Sequence, residues 1–178
     1  MKDDEIRQGK VHTYTGNGKG KTTAALGLAF RAVGQGLNVH MLQFMKGDGE
    51  GGEIAQAKKI PNFTITQFGR PGFVDRFNPD ELDIEIARKG LKYACDLAKS
   101  SECDVLILDE IIVAVAWNLI GLNEVLDLIK DRSESVELVL TGRCASEEII
   151  DLSDYVTEMK EIKHPYRDGI KARAGIEY

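Results

Sequence analysis

An α/β fold, with helices covering a mostly parallel sheet of five to six strands, is what this sequence predicts, and three observations predict it. An extended run, Lys10–Tyr14, leads through a glycine-rich stretch, Thr15–Thr23, into a segment free of helix breakers until Gly34. Further on, Val105-Leu106-Ile107-Leu108 runs into Asp109 and Glu110, the pattern of a strand buried on both faces. Strand-like and helix-like runs also alternate along the chain, as they do when crossover helices join parallel strands.

Strand, glycine-rich turn and helix in that order are the context of a phosphate-binding loop. Glycines 16, 18 and 20 allow successive backbone N–H groups to turn inward around a polyphosphate. The free N–H groups of the first helical turn point at the same anion. Lys21 supplies a point charge and the Thr22 hydroxyl a magnesium ligand. The usual pattern has Gly or Ala where this chain has Thr15. A β-branched residue resists positive φ, so the turn falls on Gly16. The competing reading, a glycine-rich turn that merely caps a helix, does not account for the flanking strand.

A length of 178 residues fits a single domain, 1–178, with residues 1–9 as a flexible leading segment. The composition, 43% hydrophobic and 29% charged, is that of a soluble globular protein. A net charge of −6 argues against nucleic-acid and membrane-surface binding. Cys95, Cys103 and Cys144 form no Cys-x-x-Cys pair and read as structural thiols of a reducing compartment. The apolar stretch Val105–Leu122 contains Asp109, Glu110 and Asn118 and is no membrane span. A cytoplasmic location is expected.

The helix from Gly20 to Arg31 is apolar nearly all round and is expected to be buried against the sheet. Arg31 is its one charge inside the apolar run, open to solvent or to a nucleotide. Leu37–Phe44 reads as a second strand, followed by Met45–Glu53, a mobile loop with four glycines. Phe63–Phe68 alternates as a third strand. The loop Gly69–Phe77 carries Phe73 and Phe77, open to a core or a ligand-facing role, with the Gly/Pro-rich setting favouring the ligand. Asn78-Pro79-Asp80-Glu81 predicts a helix start capped by Asn78. Leu82, Ile86, Tyr93 and Leu97 then mark its packed face, and its charged residues are read as solvent contacts.

At the end of Val105–Leu108, Asp109 and Glu110 arrive at the sheet's carboxyl edge, where an acid holds magnesium in phosphate-loop proteins. A solvated helix start rich in acids is the competing reading. Ile111–Ile120 is expected to be helical with Trp117 in the core, and Asn123–Arg132 to be an amphipathic helix. Val136–Thr141 predicts a fifth strand that brings Arg143 to the same edge as a phosphate or substrate contact. A short helix from Ser146, a last strand over Tyr155–Ile162 and a polar tail complete the chain. His12, His40 and His164 have no metal-ligand spacing. The residues thus describe a P-loop NTPase (RecA-like) three-layer fold that binds ATP and Mg²⁺; which bond is broken stays open, because the same parts serve kinases, ATPases and switches alike.

The sequence resembles the P-loop-type ATP:corrinoid adenosyltransferases nearly end to end. The likeness is carried by Gly16-Asn17-Gly18-Lys19-Gly20-Lys21-Thr22-Thr23, Arg31-Ala32-Val33-Gly34 and Gln43-Phe44-Met45-Lys46-Gly47. It continues in Leu108-Asp109-Glu110, Thr141-Gly142-Arg143, Lys163-His164 and Gly175-Ile176-Glu177-Tyr178. Thr15 before the loop is itself typical of the family.

The resemblance implies transfer of the 5′-deoxyadenosyl group of ATP to the cobalt(I) of a reduced corrinoid, giving adenosylcobalamin or a precursor and releasing triphosphate. It implies ATP lying reversed along the loop, Gly16 through Thr23 on the triphosphate, and Thr22 with Glu110, and Asp109 beside it, at the magnesium. It implies Lys21 and Glu110 as catalytic groups, Arg31 and Arg143 as nucleotide contacts, and Phe73 beside the corrin, where it helps displace the lower axial base. An electron-donating reductase such as a flavoprotein and a homodimeric state are implied as well. One departure stands out: well-known members carry a Trp two residues after the Phe, where this chain has Asp75, which leaves two readings open, replacement by Phe77 or a corrinoid substrate without a strongly held lower base.

Overall fold

The computed structural model describes residues 8–47, 51–100 and 102–177. Among them the chain forms β1 (Val11–Thr15), α1 (Lys21–Gly34), β2 (Val39–Phe44), α2 (Gly52–Ala57), β3 (Phe63–Phe68) and α3 (Glu81–Lys99). It continues as β4 (Val105–Asp109), α4 (Ile111–Ala116), α5 (Leu122–Asp131), β5 (Glu137–Thr141), α6 (Glu147–Asp151), β6 (Tyr155–Glu158) and a 3₁₀ turn, Pro165–Asp168. The strands form one sheet in the order β3-β2-β4-β5-β1-β6, and every pairing is parallel. This is the layered arrangement of P-loop NTPase-like folds.

The register explains the burial. Val105 through Leu108 pair with β2 on one side and β5 on the other, and β4 is buried throughout. On one face Ala25, Ala29 and Ala32 of α1 pack against Met41, Val105, Ile107 and Val139. On the opposite face Ala87, Leu91 and Ala94 of α3, with α4 and α5, cover Leu42, Leu106, Leu108 and Leu140. Alternate residues of each strand thus feed opposite layers. Because all strands run the same way, the ends of β1, β2, β4 and β5 open onto one carboxyl edge.

Several expectations are corrected. The helix α1 is not buried all round: Phe30 is 75% exposed, because small alanines form the stripe that meets the sheet. The second helix, α2, begins at Gly52, within the last two residues of the loop expected over Met45–Glu53, and runs on through a stretch for which no element was expected; residues 48–50 of that loop fall outside the described residues. Helix α3 is capped at Asp80 rather than Asn78, and no side-chain cap bond forms because the Asp80 carboxylate accepts from Arg70.

Its packed face matches the expectation at Leu97 only, with Ile86 half-buried. Asp83, Ala87, Gly90, Leu91, Ala94, Leu97 and Ala98 are buried, whereas Leu82 and Tyr93 are exposed. Asp83 is therefore no solvent contact; its carboxylate takes two hydrogen bonds from Arg70, at 2.7 and 2.8 Å. The helix after Glu110 stops at Ala116, where Asn118 turns the chain at φ 58, and Trp117 is half-buried against the core. The last strand ends at Glu158, short of Ile162. At the other terminus residues 1–7 lie outside the described residues, and the Gly9 N–H donates to the Glu134 carbonyl. No described helix is long and apolar enough to cross a membrane.

Candidate active site at the carboxyl edge of the sheet

The phosphate loop is built on the chain beyond β6. Thr15 ends β1, and the turn is made at Gly16, φ 92, as the β-branched neighbour requires. A Cβ at Gly16 or Gly18 would strike the backbone of Met159, and the Gly18 N–H donates to the Met159 carbonyl at 2.6 Å. Gly20 caps α1 at φ 121, which an L side chain rarely adopts. The first turn of α1 carries no acid of its own, which leaves the positive end of the helix open to an anion. Asn17 and Lys19 are exposed along the loop, as is Thr23 on the first turn.

Lys21 is buried and donates two hydrogen bonds of 2.8 Å to the loop's own carbonyls, Gly16 and Gly18. Burial lowers the pKa of its ammonium and Arg143 adds to this, while Glu110 and Asp109 act the other way. The lysine is thus pre-positioned inside the cradle.

Asp109, fully buried, is the hub of the site. Its Oδ1 accepts from the hydroxyls of Thr22 and Thr141, each at 2.8 Å. Its Oδ2 lies 2.9 Å from Lys46 Nζ and accepts weakly from Gln43 at 3.5 Å. The next residue, Glu110, adopts the left-handed conformation at φ 63 and donates its N–H to Thr141 Oγ1 at 3.0 Å. Such a backbone is uncommon for a non-glycine residue and turns the second acid away from the strand. Burial, reinforced by Asp109, pushes the Glu110 carboxyl up, against Lys46, Lys21 and Arg143. Thr22, Asp109 and Glu110 therefore gather hard oxygen atoms at the mouth of the loop.

A cleft of about 420 Å³ opens beside this cluster, with Thr22, Thr23, Lys46 and Glu53 at its polar end and Leu26 and Phe30 on its apolar wall. Arg143 is exposed at the same edge, close enough for its charge to act on Lys21 and Glu110. Arg31 is not brought to the loop: it is exposed at the far end of α1, about 15 Å along the axis from Lys21 at the usual helical rise. Phe73 and Phe77 are both exposed, which excludes the core role. Phe77 is held by the Asp75 carboxylate, which accepts its N–H at 2.9 Å, and by the Arg76 guanidinium 4.4 Å above its ring.

Residues 7–178 match the family model described as ATP:corrinoid adenosyltransferase BtuR/CobO/CobP. The chain belongs to this family. It is 36% identical over 171 residues to the corrinoid adenosyltransferase of Escherichia coli strain K12, covering 96% of this chain and 86% of that one. A corrinoid adenosyltransferase of a Sinorhizobium species is 36% identical over 180 residues, 99% of this chain and 83% of its own. The protein from Salmonella typhimurium strain LT2, named corrinoid adenosyltransferase CobA, is 35% identical over 171 residues.

Against that family, sequence reasoning found the loop and both acids but missed the residues that surround Asp109. Lys46 read as one charge in a loop, and Gln43 and Thr141 read as strand residues. Their partner lies 63, 66 and 32 positions away, a separation no local pattern carries. The available signal was a polar residue at the end of each central strand, Gln43 in β2 and Thr141 in β5, beside the acid of β4.

Proposed function

We propose that this adenosyltransferase binds ATP reversed along Gly16–Thr23 and presents carbon 5′ of the ribose to the cobalt(I) of a reduced corrinoid. The cobalt–carbon bond forms as the carbon–oxygen bond to the triphosphate breaks, and the electron pair of that bond leaves with the triphosphate. No proton is removed from the attacking metal, so no general base is required. Catalysis is positioning together with stabilisation of charge on the leaving group. The loop amides and Lys21 perform the second task, Lys21 by exchanging the Gly16 and Gly18 carbonyls for phosphate oxygens. Arg143 adds charge at the same edge, and Arg31 serves the nucleoside end.

A magnesium ion fits the site. Mg²⁺ is held by one or two carboxylates together with substrate phosphates and water, and not by an all-protein cage. Thr22 and Glu110 would hold it, with Asp109 beside them, and among the described residues no group of three or more acids, His or Cys competes. When bound it neutralises charge on the triphosphate. Phe73, exposed on a loop beyond the carboxyl end of β3, contacts the corrin and excludes water from the metal. A flavoprotein reductase as electron donor, a homodimer and a cytoplasmic location complete the reading, which invokes neither nucleic acid nor membrane.

The observation that carries this proposal is the set of groups gathered at the edge: a glycine cradle with its lysine and two acids, in a chain of this family. Incubation with ATP, Mg²⁺ and chemically reduced cobalamin tests it. A light-sensitive alkyl-cobalt spectrum with one equivalent of intact triphosphate is expected. ADP and phosphate without such a spectrum would make the chain a kinase or hydrolase.

A further inference from the structure

Lys46 sits on a backbone built to aim it. Just after β2, Met45 takes φ 60 and its N–H donates to the Phe68 carbonyl at 2.8 Å. The next glycine is locked in place, since a Cβ on Gly47 would clash with the Gly69 carbonyl. Between these two constraints the Lys46 side chain crosses the carboxyl edge to Asp109 Oδ2 at 2.9 Å. Only that carboxylate separates the ammonium from the Thr22 hydroxyl, and Lys46 also lines the cleft. Asp109 is fully buried, so the cation at its second oxygen satisfies a charge that would otherwise be stranded. The Lys46 side chain is 36% exposed and lines the cleft.

We infer that Lys46 is a second triphosphate-binding lysine, which holds Asp109 until the nucleotide enters and then turns to the phosphate chain. The inference rests on the adenosyl-transfer reading. A magnesium ion held by Thr22 and Glu110 would neutralise Asp109 in place of the ammonium. The freed ammonium then needs only a side-chain rotation to meet the anion lying over Thr22. Lys21 acts from inside the cradle and Lys46 from across the edge, so the leaving triphosphate meets positive charge on two sides. A flexible four-carbon stem with three rotatable donors suits such an exchange of partners.

Calorimetric titration of the full chain with inorganic tripolyphosphate, the product fragment, in buffer containing Mg²⁺ tests this without turnover. Lys46→Met should weaken tripolyphosphate binding roughly tenfold to a hundredfold, the worth of a charge-assisted bond to an anion. Lys46→Arg, which keeps the charge, should retain most of the affinity. Lys46→Met is also expected to melt earlier, so binding is measured well below its transition; Lys46→Arg serves if that variant does not fold, and it must then bind within a few-fold of the wild type. If Lys46→Met lowers the melting temperature yet binds tripolyphosphate as the wild type does, the lysine is a structural partner of Asp109 and the inference is wrong. A wild-type enzyme that makes no alkyl-cobalt product would instead overturn the adenosyl-transfer reading.

Discussion

At the scale of single residues the site is a set of charges held short of their ordinary states. Lys21 is committed to two backbone carbonyls, and in the proposed mechanism their exchange for phosphate oxygens aligns the leaving group. Lys21→Met should lower kcat by about a hundred- to a thousandfold, the usual loss when a pre-positioned donor is removed; a rate within threefold of wild type would exclude the lysine from that role. Glu110 offers a test of linkage. Its carboxyl is raised by burial and by Asp109, so the folded state binds that proton more tightly than the unfolded chain. The stability this group contributes is fully present below its unfolded pKa and is lost as pH rises through the folded one. Without nucleotide, Glu110→Gln should therefore melt higher than wild type at pH 7, with the gap closing toward pH 4, while adenosyl transfer falls. A variant that melts lower at pH 7 would mean that Glu110 is favourably ionised in the free protein.

Elements were legible where burial is total and the residues large. The strand Val105–Asp109 announced itself because both its faces are covered. The packed face of α3 was legible only at Leu97, because Ala87, Gly90 and Ala94, which form much of it, carry little hydrophobic signal, while Leu82 and Tyr93 are exposed. Gly90 lets the helix approach the sheet: a Cβ there would lie 2.7 Å from Phe68 Cγ and 2.9 Å from Phe44 Cε1. Alanine gains about 1 kcal/mol in helix propensity, but overpacking costs about 1–3 kcal/mol, and the buried Phe44 ring has no room to retreat. Gly90→Ala should thus be net destabilising in urea melts; a raised midpoint would contradict this packing. The loop after β3 holds Phe73 and Phe77 outward. Asp75 stands where the resemblance implies a Trp, and its carboxylate accepts the Phe77 N–H, so Phe77 is the aromatic to test in that Trp's place. Phe73→Ala and Phe77→Ala should each slow the reaction from cobalt(II) corrinoid more than that from pre-reduced cobalt(I). Equal losses in both assays would remove the aromatic pair from the reduction step.

For the whole molecule, the strand order matters more than any one element. Placing β5 between β1 and β4 sets Thr141 between the loop and the acids, so that one hydroxyl accepts from the Glu110 backbone and donates to Asp109. The loop, the acids and Arg143 were legible because each follows a strand in the sequence. The contacts among them, Thr22 with Asp109 across 87 residues and Lys46 with Asp109 across 63, exist only once the parallel sheet has brought four strand ends together. The account rests on which end of ATP faces the corrinoid. ATP enriched with carbon-13 at the 5′ position, incubated with reduced cobalamin, Mg²⁺ and the enzyme, reads this directly by NMR. The labelled carbon should appear bonded to cobalt, with unlabelled triphosphate released. Label recovered wholly in ADP would contradict the reversed nucleotide and the chemistry built on it.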